Sequence, residues 1–176
     1  KVDAKIPNKF GGQKVFYRFA AEGVYSQIGT TFTLPEDVEN FKLAVFSCSN
    51  YPAGYFNAYN SASKDKSIDM AIHLGDYLYE YKQGEYATEN SISLNRQPIP
   101  NKEIITLSDY RQRHAQYKSD IDLQKLHSAM PVLCAWDDHE ITNDAWKNNA
   151  ENHQLNEGSF SLRKRNAIKA YYEWMP

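Results

Sequence analysis

Three segments of the chain share one pattern, an apolar run that stops at residues able to bind a metal ion. Residues 41–47 (FKLAVFS) stop at Cys48, and residues 72–74 stop at Gly75-Asp76 with Tyr79 close behind. Residues 132–136 (VLCAW) stop at Asp137-Asp138-His139-Glu140. Short apolar runs bounded by turn residues read as buried strands. In open α/β sheets, ligands bind at the carboxyl ends of the strands. With the three runs as neighbours in one sheet, a thiol, a phenol, three aspartates and an imidazole gather along one edge. That points to a hydrolytic metal centre.

The spacing between the runs fits this architecture. Residues 54–63 (GYFNAYNSAS) read as a helix between the first two strands, which is the strand–helix–strand alternation of a parallel sheet. Residues 81–105 have no clear periodicity and contain Pro98 and Pro100, so they read as a long functional or poorly ordered loop. Thr106 and Asp109 stand at capping-box spacing and open a helix over 109–118, with Tyr110, His114 and Tyr117 on one face. Asp120 or Asp122 caps a second helix that runs to Met130, ahead of Pro131. Residues 161–175 form a last helix with Ala167, Ile168, Tyr171 and Met175 in an apolar stripe. Near the start, residues 14–20 and 24–33 are rich in β-branched and aromatic residues, with Ala21-Glu22-Gly23 as the hairpin turn. Residues 34–37 (LPED) read as a linker. One hairpin and three parallel strands are too few for a finished sheet of about 5–6 strands, so an internal piece of a longer polypeptide is expected.

Bulk properties exclude several function classes. At 176 residues the chain holds one full core. A net charge of −2 and the absence of a Lys/Arg-rich block argue against specific nucleic-acid binding. No apolar stretch reaches the ~20 residues that span a bilayer, and no signal-peptide pattern is visible. Cys48 and Cys134 do not make a disulfide framework and read as buried thiols.

Each candidate has a plainer alternative. Gly75-Asp76 could be a simple strand-ending turn, although glycine there lets the next aspartate point into a cleft, and Tyr79 can return a phenolate to the same place. Phenolate favours a hard, highly charged ion, since free tyrosine titrates near ~10. The adjacent Asp137 and Asp138 repel one another without a cation, and carboxylate oxygens suit calcium. The alternative is helix capping by Asp138 with Glu140 near the helix N-terminus. His139 is placed to assist a leaving oxygen or a phosphorane. Cys48 is a metal ligand as thiolate or a small buried hydrophobe as thiol. His73, His114, His127 and His153 read as structural, Asn143-Asp144 as a solvated loop, and Arg163-Lys164-Arg165 as the wet face of a helix.

With these residues in hand, the sequence resembles the alkaline phosphatase D family, a branch of the calcineurin-like metallophosphoesterases. The resemblance runs through Tyr17-Arg18-Phe19, SCSNYPAGYFNAY (47–59), HLGDYLYEY (73–81), TLSDYRQRHAQYKSD (106–120) and WDDHEITND (136–144). It implies an α/β fold, with residues 1–35 as the end of an N-terminal immunoglobulin- or fibronectin-like β-sandwich. Residues 36–176 would then be the first half of a metallophosphatase α/β sandwich. It also implies a centre of ferric iron and calcium that hydrolyses phosphomonoesters and phosphodiesters. By resemblance, Cys48, Asp76 and Tyr79 are iron ligands, with Asp76 also bridging to calcium. Asp138 stands where the superfamily has the asparagine of Gly-Asn-His-Glu, Asp137 replaces its glycine, and His139 matches its histidine. Further ligands are implied from the second half of the fold, and a periplasmic or secreted location follows from the same likeness.

The leading expectation is thus a phosphoester hydrolase in which a metal-activated hydroxide or oxide attacks phosphorus, with Asp76 and His139 as its catalytic residues. A non-catalytic calcium- or phosphate-binding fragment is the second reading. A thiol hydrolase using Cys48 is the third.

Overall fold

The computed structural model describes residues 2–6 and 11–176. Residue 1 and residues 7–10 of the expected 1–35 unit lie outside the described part.

The expected hairpin forms as two short antiparallel ribbons. β1 (Lys14–Tyr17) pairs with β4 (Gly29–Phe32), and β2 (Ala20–Ala21) pairs with β3 (Val24–Tyr25). The turn is Glu22-Gly23, with φ of +50 and +81. Two successive positive φ values give the hairpin turn whose twist matches that of its strands. Tyr17 faces Gly29 across the ladder, and a Cβ at Gly29 would lie 2.3 Å from the Tyr17 ring. The tyrosine therefore covers the backbone that glycine leaves bare, and its hydroxyl donates to the His127 carbonyl at 3.1 Å. That contact ties the ribbon to the helical layer.

The main sheet has three parallel strands, β5 (Leu43–Phe46), β6 (Met70–His73) and β7 (Val132–Cys134), with β6 in the middle. All three carboxyl ends therefore lie on one edge. α1 (Asn57–Lys64) forms the first crossover, while α2 (Leu107–Lys118) and α3 (Ile121–Ala129) lie in the second. α4 (Phe160–Trp174) packs beside α2. The Thr106–Asp109 capping box opens α2 as expected, and Asp120 caps α3 by accepting from the Asp122 and Leu123 amides.

The register separates the two faces of the sheet. Ala44, Phe46, Ala71, His73, Val132 and Cys134 face the helices and the core. Leu43, Val45 and Leu133 are exposed on the other face.

The 81–105 loop is not an excursion. It contains the buried side chains Thr88, Ser91, Arg96 and Ile104. Arg96 ion-pairs with Asp120 at 2.7 Å and lies 3.5 Å from the Tyr51 ring centroid. Polar tertiary bonds, invisible to periodicity, order this segment. Arg163 corrects another expectation. It is fully buried rather than on a wet helix face, bonded to Glu103 at 2.7 Å and to Glu157 at 3.3 Å.

Candidate metal centre

The sheet edge is held together before any side chain is considered. Amides after β5 donate to carbonyls after β6, Cys48 to Gly75 at 3.2 Å and Ser49 to Asp76 at 2.8 Å. The segment after β7 closes on the same point. A Cβ on Gly75 would lie 2.5 Å from the Asp137 amide nitrogen, and Gly75 has a φ of +121. Only glycine permits both the conformation and the approach.

Both Cys48 and Asp76 have left-handed backbones, with φ of +57 and +54. Such strain costs about 1–3 kcal/mol per residue and concentrates at functional sites. The conformation turns both side chains toward one another. Cys48 Sγ lies 3.4 Å from Asp76 Oδ2, and the Tyr79 hydroxyl donates to that same oxygen at 3.3 Å. Burial pushes the Tyr79 phenol well above its ordinary value, reinforced by the charges of Asp76 and Cys48, so without a cation it keeps its proton.

Asp76 Oδ1 is buried and has no hydrogen-bond partner. An unpaired carboxylate oxygen is costly to bury, and this one sits among electron-pair donors. Ligand atoms of Asp76, Asp138 and His139 all lie within 4.8 Å of one another. Sulfur, phenol, carboxylate and imidazole groups gathered around a carboxylate with one orphaned oxygen fit a cation. The chain therefore brings together Cys48, Asp76, Tyr79, Asp138 and His139. Asp137, like Cys48, is outside the 4.8 Å set, and it is exposed at the rim. Its carboxyl is pushed upward by burial and then by the charges of Asp76 and Asp138.

Several expectations need adjustment. Cys48 is exposed at the edge rather than buried, and both cysteines are free. No helix follows Asp138. The Ile141 and Thr142 amides turn back to its carbonyl, and its carboxylate accepts from the Asp144 amide, so helix capping does not account for it. Asn143-Asp144 is not simply solvated, because both backbone amides bond into the site. His73 is a core histidine as expected, bonded to Ser49 at 2.9 Å and Tyr59 at 3.0 Å.

Two carboxylates have roles the sequence reading did not assign: Glu80 had none, and Glu140 was read only as a favourable charge near a helix N-terminus. Glu80, fully buried, accepts from His139 Nδ1 at 2.8 Å with one oxygen. Its other oxygen accepts from the Asn143 amide at 2.7 Å, Asn152 at 2.8 Å and Thr142 at 3.1 Å. Burial favours the neutral acid, but the His139 bond and the other donors outweigh it, so the Glu80 carboxyl lies below its ordinary value. Burial likewise pushes His139 down, and the Glu80 bond with the charges of Glu80, Asp76 and Asp138 overcomes this, raising it. The pair fixes the His139 ring with Nδ1 engaged, and among the described residues Nε2 has no hydrogen-bond partner. Glu140, also buried, accepts from the Tyr77 amide at 2.6 Å and the Asp137 amide at 2.9 Å. It braces the β6 and β7 loops. The one local signal was that Glu80 and Glu140 are acidic residues closing the Gly75–Glu80 and Asp137–Glu140 motifs.

The family model for PhoD-like phosphatases matches residues 43–176, which include every site residue described above. This chain belongs to that family. Alkaline phosphatase D of Bacillus subtilis (strain 168) is 41% identical over 179 residues, covering 100% of this chain and 29% of that protein. A solved structure described as that of PhoD matches with a TM-score of 0.82 at 41% identity, over 94% of this chain and 31% of that one. The chain thus spans less than a third of the length of these PhoD-like relatives. Among the described residues no helix is long and apolar enough to cross a membrane.

Proposed function

We propose that this chain carries part of the metal centre of a phosphoester hydrolase. The observation that carries this reading is the Asp76 carboxylate: its Oδ2 meets Cys48 and Tyr79, its Oδ1 is buried and unpartnered, and it lies with Asp138 and His139 in one group of ligand atoms. Membership of the PhoD-like phosphatase family supports the reaction class. In this reading Cys48, Asp76 and Tyr79 hold ferric iron, since thiolate and phenolate both stabilise a highly charged ion. Asp76 and Asp138 hold calcium, with Asp137 at its margin. Bound cations would supply an activated water nucleophile and neutralise charge developing on the phosphoryl group. His139, held by Glu80, presents Nε2 toward the leaving oxygen, where it donates a proton or hydrogen bond.

Calcium takes 6–8 oxygen ligands, waters among them, more than this edge offers, so water, substrate oxygens or further polypeptide would complete its shell. Residues 1–35 serve as the last strands of an immunoglobulin-like β-sandwich, and residues 36–176 as the first half of the catalytic domain. The exposed Phe16, Phe19, Val24, Tyr25 and Ile28 of the ribbon support that division, because they leave apolar area for further strands. A periplasmic or secreted location belongs to the same reading, and cell fractionation checks it. The thiol-hydrolase reading has less support, since the partner of Cys48 is the Asp76 carboxylate rather than an imidazole.

The test is elemental analysis of the purified chain together with Asp76→Asn. The expected result is bound iron and calcium that Asp76→Asn loses, with hydrolysis of aryl phosphate mono- and diesters lost in parallel. Normal metal content and turnover in that variant would sink the assignment. Metal binding without turnover would favour a non-catalytic binding fragment.

A further inference from the structure

α2 presents two buried side chains one turn apart, Arg113 and Tyr117, toward the site. Residues at i and i+4 share a helix face. A guanidinium has five N–H donors in a fixed plane, and here every one is used. Nε donates to the Ile99 carbonyl at 3.0 Å, and Nη2 donates to those of Pro100 at 3.0 Å and Lys102 at 3.4 Å. Nη1 donates to the carbonyls of Tyr79 and of Tyr81, the latter at 3.0 Å. All five acceptors are backbone carbonyls, and among the described residues no carboxylate lies within ion-pair distance of this buried cation. Burying a charge against dipoles alone is expensive. Such an arrangement persists where it fixes backbone geometry.

The Tyr117 hydroxyl accepts from two backbone amides, Tyr51 at 3.0 Å and Tyr79 at 3.3 Å. One oxygen thereby links the loop after β5, which carries Cys48, to the loop after β6, which carries Asp76 and Tyr79. The Tyr79 peptide is gripped at both ends, its N–H by Tyr117 and its carbonyl by Arg113. The intervening Glu80 carbonyl accepts from the Ile104 amide at 3.1 Å.

We infer that Arg113 and Tyr117 are positioning residues for the metal centre: α2 sets the separation of the two ligand-bearing loops through one hydroxyl and one saturated guanidinium. This rests on the reading of Cys48, Asp76 and Tyr79 as ligands. Ligand atoms must be held within a few tenths of an ångström for metal affinity, and loops alone do not supply that. Arg113 would also convey the order of the 99–102 segment to Tyr79, because one guanidinium joins both.

The test compares the intact chain with Tyr117→Phe, which keeps the ring packing and removes only the shared acceptor. Amide hydrogen exchange is the readout, since it needs no metal. Exchange at the Tyr51 and Tyr79 amides is expected to quicken about tenfold or more, while residues 160–174 of α4 stay at the wild-type rate. Arg113→Lys keeps the charge but has three donors, so exchange there should quicken over 79–81 and 99–102. Iron retained against a chelator is expected to weaken about 10–100-fold in Tyr117→Phe. Unchanged exchange at Tyr51 and Tyr79, or acceleration spread equally over α4, would overturn the inference. Local loosening in the variants, with a wild-type chain that binds no iron, would support α2 as the positioning element and refute the metal reading instead.

Discussion

Replacing Glu80 by glutamine keeps the shape of the side chain and removes its charge. Three donors converge on one oxygen of Glu80, from Asn143, Asn152 and Thr142, while His139 alone meets the other. The glutamine carbonyl must therefore take the three-donor side, which turns its NH₂ toward His139 Nδ1. That forces the imidazole into the tautomer with Nδ1 unprotonated. Hydrogen bonds to charged groups contribute about 1.5–3 kcal/mol and neutral ones about 0.5–1.5, so the loss at mildly acidic pH is about 3 kcal/mol. Its pH dependence follows from the two shifts. Glu80 is depressed in the fold, so its contribution is present above the ordinary carboxylate value and is lost as pH falls through the folded one. His139 is raised, so its contribution is present below the ordinary imidazole value and is lost as pH rises through the folded one. The gap between wild type and Glu80→Gln should be widest between the ordinary carboxylate and imidazole values and should shrink as pH rises through the raised value of His139. Urea unfolding of the chelator-treated proteins at pH 5.5 and 9 measures it, and groups common to both proteins cancel. A gap that is constant, or larger at pH 9, would refute the ion pair.

Three further outcomes are expected. Gly75→Ala places a Cβ 2.5 Å from the Asp137 amide at a φ of +121, so overpacking and backbone strain together should destabilise by about 2–6 kcal/mol, read as a lower urea midpoint. Arg163→Met leaves Glu103 and Glu157 without their shared cation inside the protein, which should lower stability by about 3–5 kcal/mol; a thermal melt within 1–2 °C of wild type would contradict it. Cys48→Gly relieves a positive φ, so it should leave the unfolding midpoint unchanged or raise it slightly while abolishing any iron-dependent colour. A clear fall in stability would show that Cys48 is a packing residue.

The strand ends and the capping boxes were legible because they are local. Short apolar runs of three to seven residues, a glycine at the turn and a Thr-x-x-Asp cap need only nearby residues to take effect, and all of them form. The role of Arg163 was misread for the opposite reason. A basic triplet looks solvated until the Glu103 carboxylate, 60 positions away, is folded against it. The 81–105 loop lacks periodicity because it is ordered by guanidinium–carbonyl bonds, which have no repeat.

By itself the sequence determined that three strands would end in Cys48, Gly75-Asp76 and Asp137-Asp138-His139-Glu140, and that a helix would follow Thr106. Chain direction and apolar periodicity require no more than short-range sterics and burial. Only the tertiary structure decided that Asp138 rather than Asp137 joins Asp76 and His139 within 4.8 Å, that Glu80 holds His139 across 59 positions, and that α2 grips the Tyr79 peptide. A carboxylate or guanidinium is compatible with water or with a buried partner, and which it meets is set by the packing of distant segments.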